Sequence, residues 1–360
     1  MDRIKIFALL VAVSLILGAC GTTPVATEAP VAEAPVAEEP AAEEPAAEEP
    51  AKVVGPGMGL PCQPNCKYSD LVVGFLQTGS EGGWRAANTA SFKETAASLG
   101  LTLKFYDSQN ELANQVAGFQ QFIEDPEVNV IVLSALETTG WEQLIKDAYA
   151  AGKIVVIQDR RIDAPAELFE TFIGADFVEE GRKSALAICE LLKDSEKKNV
   201  WELVGNVGSS AAKDRGQGFR EAMGECGLTV TKSQTANWSI TEGKQVTEAW
   251  LKETTDVQAI FGQNDEMALG AIEALKEAGL VPGVDVKILS VDATAGAFKA
   301  MLDGTLNVTV ECNPLLAPQV FEAALKAANG EDLPDWIPSQ EDVFWATDPN
   351  LQQIADGRKY

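Results

Sequence analysis

Six short apolar runs of strand-forming residues recur along the chain, and each stops at a small polar cluster. The runs are Leu71–Leu76, Val128–Leu133, Ile154–Ile157, Val200–Val204, Val257–Phe261 and Val286–Val291. They are followed by Gln77-Thr78-Gly79-Ser80, Ser134, Gln158-Asp159-Arg160, Gly205-Asn206, Gln263-Asn264-Asp265 and Asp292. Helix-like stretches separate them, the alternation that produces parallel sheets. In open parallel sheets, ligands bind outside the carboxyl ends of the strands. Amides, carboxylates and guanidiniums gathered at those ends suit a ligand covered in hydroxyls.

The chain has 360 residues, and its first part does not read as fold. Arg3 and Lys5 precede an apolar stretch from Ile6 to Leu17, too short to span a bilayer and expected to act as a secretory signal. Leu17-Gly18-Ala19-Cys20 resembles the lipobox of bacterial lipoproteins, which implies a lipid on Cys20; a plain signal cut after Ala19 is the alternative. Such a lipid would hold the protein on a membrane without spanning it. Between residues 22 and 51 an Ala-Glu-Glu-Pro-Ala pattern lacks large apolar groups, so an extended, self-repelling tether is expected there. Fully stretched, it would reach ~90 Å.

Charge and composition exclude several functions. Removing the leader's +1 and the tether's −8 from the total of −26 leaves −19 for the remainder. So acidic a body, with no Lys/Arg cluster, argues against nucleic acid as a partner. The sequence contains no histidine, which removes Ser-His-Asp chemistry and His-ligated metal sites. No G-x-G-x-x-G follows the first run and no P-loop occurs, so neither a cofactor nor a metal is expected. Beyond Cys20, Cys62 and Cys66 can form a local disulfide before the first strand, Cys189 and Cys226 can pair from helices flanking Val200–Val204, and Cys312 reads as a buried thiol.

From Tyr68 onward roughly 290 residues remain, comfortable for two lobes. The first array runs from the strand at Leu71 through helices Trp84–Leu99, Asn110–Glu124 and Trp141–Ala151, with strands Leu103–Tyr106, Val128–Leu133 and Ile154–Ile157 between them. After Phe172-Ile173-Gly174-Ala175-Asp176 the pattern restarts with helices Val178–Lys193, Asp214–Glu225, Glu242–Lys252 and Glu266–Ala278. Ala297–Leu302 and Pro314–Ala328 read as helices, Asn307–Glu311 and Val343–Trp345 as strands. Two such arrays imply two lobes, a cleft between them and a hinge that closes on a ligand.

The segments Gly82-Gly83-Trp84-Arg85, Asp159-Arg160, Ser209 through Phe219, Gln263 through Ala271 and Ser290-Val291-Asp292 stand in an order that resembles the type 1 periplasmic sugar-binding proteins of ABC importers. Gly79 through Arg85, with Thr139-Gly140-Trp141-Glu142, is similar to the galactofuranose-binding branch of the ribose-binding group. The resemblance implies an α/β fold of two doubly wound, Rossmann-like parallel-sheet lobes joined by a three-strand hinge. It divides the chain into signal 1–19, anchored cysteine and tether 20–67, a first lobe of 68–175 with 294–336, and a second of 176–293 with 337–360.

It also implies the ligand set. Asp159 and Arg160 would accept from and donate to neighbouring hydroxyls of one sugar; Arg215, opening a helix, would meet ring and hydroxyl oxygens; Asn264 and Asp292 would come from the second lobe. Trp84 and Trp238 offer aromatic faces for a sugar or simply fill the core, and Arg85, Glu81 and Asn313 complete the candidates. Arg161 should point to solvent, and Asp214 and Asp265 should cap helices. Cys312 stands where the ribose-binding pattern carries a glutamine, which favours a different sugar. Three arginines against Asp159 and Asp292 suit a neutral monosaccharide, and the arginines should keep both carboxylates ionised. The expected protein is a monomeric, extracytoplasmic, lipid-anchored, non-enzymatic binding protein that delivers sugar to ABC permease transmembrane subunits. A sugar-sensing receptor module or an exported carbohydrate-active enzyme are the rival expectations.

Overall fold

A computed structural model describes residues 60–80 and 82–360. The leader, Cys20, the tether and Glu81 lie outside the described residues. The first array comprises β1 (Val72–Gln77), α1 (Gly83–Leu99), β2 (Thr102–Asp107), α2 (Leu112–Glu124), β3 (Val130–Leu133), α3 (Glu142–Ala150), β4 (Ile154–Gln158) and β5 (Thr171–Gly174). The second follows with α4 (Phe177–Leu191), β6 (Asn199–Val204), α5 (Ser210–Ala222), β7 (Thr229–Thr235), α6 (Ile240–Glu253), β8 (Ala259–Gly262), α7 (Asp265–Glu277) and β9 (Lys287–Asp292). The chain closes with α8 (Ala295–Leu302), β10 (Val308–Glu311), α9 (Ala317–Ala328), β11 (Trp336–Pro338), β12 (Val343–Trp345) and α10 (Leu351–Gly357).

These elements build two six-stranded sheets, in the orders β11-β5-β4-β3-β1-β2 and β12-β10-β9-β8-β6-β7. All neighbours are parallel except β12, which runs antiparallel to β10. Central strands β3, β4 and β8 are buried throughout, as continuous apolar runs covered on both faces must be. Edge strands β2 and β7 alternate between exposed and partly buried positions. In the first lobe Phe75 stacks on Phe92 at 4.0 Å, and Phe92 meets Phe321 edge-on. In the second, Phe219 stacks on Phe261 at 4.6 Å. The two-lobe α/β architecture expected from the alternating pattern is the one found.

Strand pairing moves two expected boundaries. Residues 294–336 do not all join the first lobe, because β10 hydrogen-bonds to β9 from Val308–Leu289 to Glu311–Asp292, keeping α8 and β10 in the second. Likewise β11 pairs with β5, so the first lobe runs to Pro338. The chain therefore crosses three times, after β5, between β10 and α9, and between β11 and β12. The strand β5, the edge strand β11 ending at Pro338, and the short helix α10 were not expected as elements. Each has only three to seven residues and no strong period. Both candidate disulfides form: Cys62–Cys66 before β1, and Cys189–Cys226 linking α4 to the segment after α5.

Helices α4 and α5 pack with their backbones in contact, and glycine makes this possible. A Cβ on Gly181 would lie 2.1 Å from the Arg215 carbonyl oxygen, and one on Gly218 would lie 1.8 Å from that of Val178. This approach sets Glu180 of α4 beside Arg215 of α5. Gly218→Ala must push the helices apart, a strain of roughly 1–3 kcal/mol for an overpacked interior. A lowered thermal midpoint is expected by circular dichroism, and an unchanged one would show that the helices are not in such contact.

Candidate functional site

The carboxyl ends of the two sheets face one cavity. Trp84, Arg85, Asp159 and Arg160 line it from the first lobe, and Ala211, Arg215, Trp238, Asn264 and Asp292 from the second, with Cys312 at a crossing. The space between them that is free of protein atoms, open solvent included, amounts to about 340 Å³. Eight of the expected ligand residues are thus brought together.

In the first lobe, β4 ends at Gln158 and the chain turns left-handed at Asp159 (φ 62°), aiming its carboxylate at α1. Arg85 approaches Asp159 Oδ2 at 2.7 Å, and Ser134 Oγ donates to the same oxygen at 2.8 Å. Arg85 also donates to Gln77 Oε1 at 3.1 Å, and Arg160 Nε lies 3.9 Å from Asp159. Behind this row Gln77 donates to Asn88, which donates to the Pro314 carbonyl at a crossing. Burial acts to raise the Asp159 pKa, but the Arg85 and Arg160 guanidiniums outweigh it and hold the carboxyl below its ordinary range.

In the second lobe, Arg215 donates through Nε to Glu180 Oε2 and through Nη1 to the Gln263 carbonyl, both at 2.6 Å. Its Nη2 lies 3.6 Å from Asp292 Oδ1. Burial opposes its charge, yet the Glu180 carboxylate beside it raises its pKa. Asp292 behaves differently from Asp159. Burial drives its pKa well above the ordinary carboxylate value, and Asp265, Glu180 and Glu266 add to this while Arg215 opposes it. That shift runs against the expectation that its arginine keeps Asp292 as readily ionised as Asp159. Trp238, left-handed at φ 61°, lies against Gly205, where a Cβ would come within 2.0 Å of the indole. Its ring lies 5.7 Å from the Arg160 guanidinium carbon and 5.6 Å from that of Arg215, so arginines of both lobes converge on it. The buried Trp238 Nε1 has no hydrogen-bond partner, an unspent donor at the cavity wall. Trp84 Nε1 donates to the Cys312 carbonyl at 2.6 Å.

Several expectations are corrected. Asn313 does not line the cavity; its side chain accepts from Leu315 N at 2.9 Å within the crossing. Glu81 is outside the described residues. Helix α5 begins at Ser210, capped by Ser209, so Arg215 lies in its second turn and Asp214 caps nothing. Asn264, not Asp265, caps α7, accepting from Met267 N at 3.0 Å and leaving its amide nitrogen beside the Trp238 carbonyl at 3.5 Å. Asp265 is an interior acceptor for Thr294, Thr309 and Ser290, and burial pushes its pKa up to about 6. Arg161 does not point to solvent but lies between Phe172 and Trp336, 4.2 and 4.3 Å from their rings. Ala211 was not singled out, and Glu180, buried in the first turn of α4, carried no signal in the sequence.

Residues 73–332 match the periplasmic binding protein domain. This chain belongs to the periplasmic binding protein family. The galactofuranose-binding protein YtfQ of Escherichia coli (strain K12) is 35% identical over 291 residues, covering 79% of this chain and 90% of that protein. A Mycobacterium smegmatis structure in complex with β-D-fucofuranose is 39% identical with a TM-score of 0.75, covering 79% of this chain and 96% of the other. The periplasmic binding protein component of the arabinose ABC transporter from Shewanella sp. ANA-3, bound to α- and β-L-arabinofuranose, is 38% identical with a TM-score of 0.75 over 80% and 95%. Among the described residues no helix is long and apolar enough to cross a membrane.

Because Asp159 owes its charge to its arginines, Arg85→Leu should leave a buried carboxylate short of a partner. At pH 7 the expected cost is about 3–5 kcal/mol by urea denaturation. The wild-type carboxyl has a lowered pKa, so its stabilisation is present above the ordinary carboxylate range and is lost on acidification through the lowered value. The variant reverses the shift, and its deficit should shrink as the pH falls towards the carboxylate range. A deficit constant with pH would mean that the pair is not what holds Asp159 charged.

Proposed function

We propose that this protein is an extracytoplasmic solute-binding lipoprotein that captures a neutral monosaccharide in furanose form by closing its lobes and delivers it to an ABC permease. The observation that carries the reading is the composition of one cavity: three guanidiniums, three nearby carboxyls, one side-chain amide and two indoles, with near-balanced charge. A phosphorylated sugar would need surplus positive charge, whereas a neutral polyol needs donors and acceptors side by side. The relatives bound to fucofuranose and arabinofuranose, and the one named for galactofuranose, support a five-membered ring.

In this reading Arg85, Asp159 and Arg160 take hydroxyls from the first lobe. Arg215, Asn264 and Asp292 take them from the second, and Trp84 and Trp238 cover the C–H faces. Asp159, held ionised by Arg85 and Arg160, offers acceptors to sugar hydroxyls, and the guanidiniums offer donors. Closure is stabilised only by the ligand's preference for the closed state. The lipid on Cys20 and the acidic tether would keep the monomeric domain near its permease. We read the site as non-catalytic, although carboxyls with pKa values pushed apart are also the arrangement of glycoside hydrolases.

Titration calorimetry at pH 7 with L-arabinose, D-fucose, D-galactose, D-ribose and D-fructose tests the reading. At least one should bind, and ¹³C-labelled bound sugar should show furanose resonances. No binding to any of them, or release of nitrophenol from p-nitrophenyl α-L-arabinofuranoside, would overturn it. Arg160→Ala and Asn264→Ala should each weaken the best sugar by at least about tenfold, a loss of ~1.4 kcal/mol. Affinities within about twofold of wild type for both, with folding intact, would remove this cavity as the site.

A further inference from the structure

The third crossing, between β11 and β12, carries Glu341, a residue outside the cavity. Its Oε1 accepts from Ser339 Oγ at 2.8 Å and from the Asn313 backbone at 3.3 Å, which ties the third crossing to the second. Oxygen atoms of Glu341 and Glu180 and the Cys312 sulfur lie within 4.8 Å of one another. Glu180 is 1% exposed. Its Oε2 is occupied by Arg215 Nε, while its Oε1 is buried and meets no N–H or O–H donor.

Two carboxylates at such a separation, served by one guanidinium, cannot both remain charged at small cost. A neutral acid resolves the clash, because its proton supplies the donor that Glu180 Oε1 lacks. We propose that Glu341 is a positioning residue: as a neutral acid it donates to Glu180 Oε1, so that the third crossing holds Glu180 and, through it, the Arg215 guanidinium at the cavity wall. The inference rests on the sugar-binding reading for its consequence, but not for its geometry.

Burial and the adjacent Glu180 push the Glu341 pKa up to about 10, in keeping with a retained proton. The groups that meet it are Glu180 and Lys183 from α4, Ser339 from its own crossing, and Cys312 and Asn313 from the second crossing, with Arg215 and Asp292 acting on Cys312 beyond them. Lys183 Nζ donates to the Glu341 backbone carbonyl at 3.1 Å, so the nearest ammonium is used on the main chain. Burial also pushes the Cys312 thiol up, which leaves it neutral. Three potential ligand atoms could instead surround a divalent cation, but the Arg215 guanidinium on Glu180 opposes a second positive charge.

The folded protein would then hold a proton that the unfolded chain loses near the ordinary glutamate value. Stability contributed by this group falls as pH rises from there towards about 10. Glu341→Gln keeps a donor to Glu180 but does not titrate. Thermal midpoints of wild type and E341Q between pH 6 and 9 should therefore diverge, with the variant gaining relative to wild type as pH rises. The ¹⁵N resonance of Arg215 Nε should be unchanged in E341Q and displaced in Glu341→Ala. Affinity for the best sugar should stay within about twofold in E341Q and fall at least about tenfold in E341A. Parallel midpoint curves, or a saturable rise in the wild-type midpoint with Zn²⁺ that E341Q loses, would overturn the proposal. Absence of sugar binding in wild type would defeat the functional reading alone, since the midpoint and resonance measurements need no ligand.

Discussion

Three guanidinium groups share one buried cavity, and a buried cation persists only where a carboxyl meets it. The way they are met decides how the molecule can move. Arg85 and Arg160 are served by Asp159, all three in the first lobe. Arg215 is served by Glu180 and Asp292, all in the second. Separating the lobes therefore leaves each of these three guanidiniums with its own carboxyl, although the attraction between Arg161 and Asp214 does cross the cleft. The contacts that cross the cleft are of another kind: Arg161 N to Ser210 Oγ at 2.9 Å, Thr138 N to the Gly208 carbonyl at 3.1 Å, and Gly83 N to Glu266 at 2.7 Å. Each exchanges readily for a hydrogen bond to water and is worth little net. The energy that favours closure must therefore come from what sits between the lobes.

Much of this was legible in the sequence because parallel sheets write themselves plainly. Buried strands are apolar throughout, and their polar ends fall on one side of the sheet. The positions Asp159, Asn264 and Asp292 follow from that rule alone. The rule is blind in three places. It does not say which sheet a late strand joins, and β10 returned to the second lobe through pairing with β9. It does not resolve a cap to one residue, so Asn264 and Ser209 took the roles expected of Asp265 and Asp214. Nor does it see a partner brought by helix packing. Glu180 meets Arg215 only because Gly181 and Gly218 let α4 and α5 touch, a relation between residues about 35 positions apart with no local pattern.

The positions that the sequence located best are also the least relaxed. Asp159, Trp238 and Asp292 carry φ values of 62°, 61° and 122°, conformations that side chains other than glycine rarely adopt. Each costs on the order of 1–3 kcal/mol and survives only where the surroundings over-determine it. The surroundings here are main-chain bonds at the strand ends. Asp159 N donates to the Ile173 carbonyl at 2.8 Å, Ser239 N to that of Ala236 at 2.9 Å, and Cys312 N to that of Asp292 at 3.4 Å. A chain leaving a strand with ordinary angles would continue along the sheet and carry its side chain past the cavity. The left-handed step turns it inward instead. The strain is therefore the geometric condition for aiming a carboxylate or an indole from the end of a buried sheet into the space between the lobes. Because it is met by the protein's own backbone hydrogen bonds, each half of the cavity is shaped before any ligand arrives. Binding then has to order the approach of two rigid halves rather than the side chains within them.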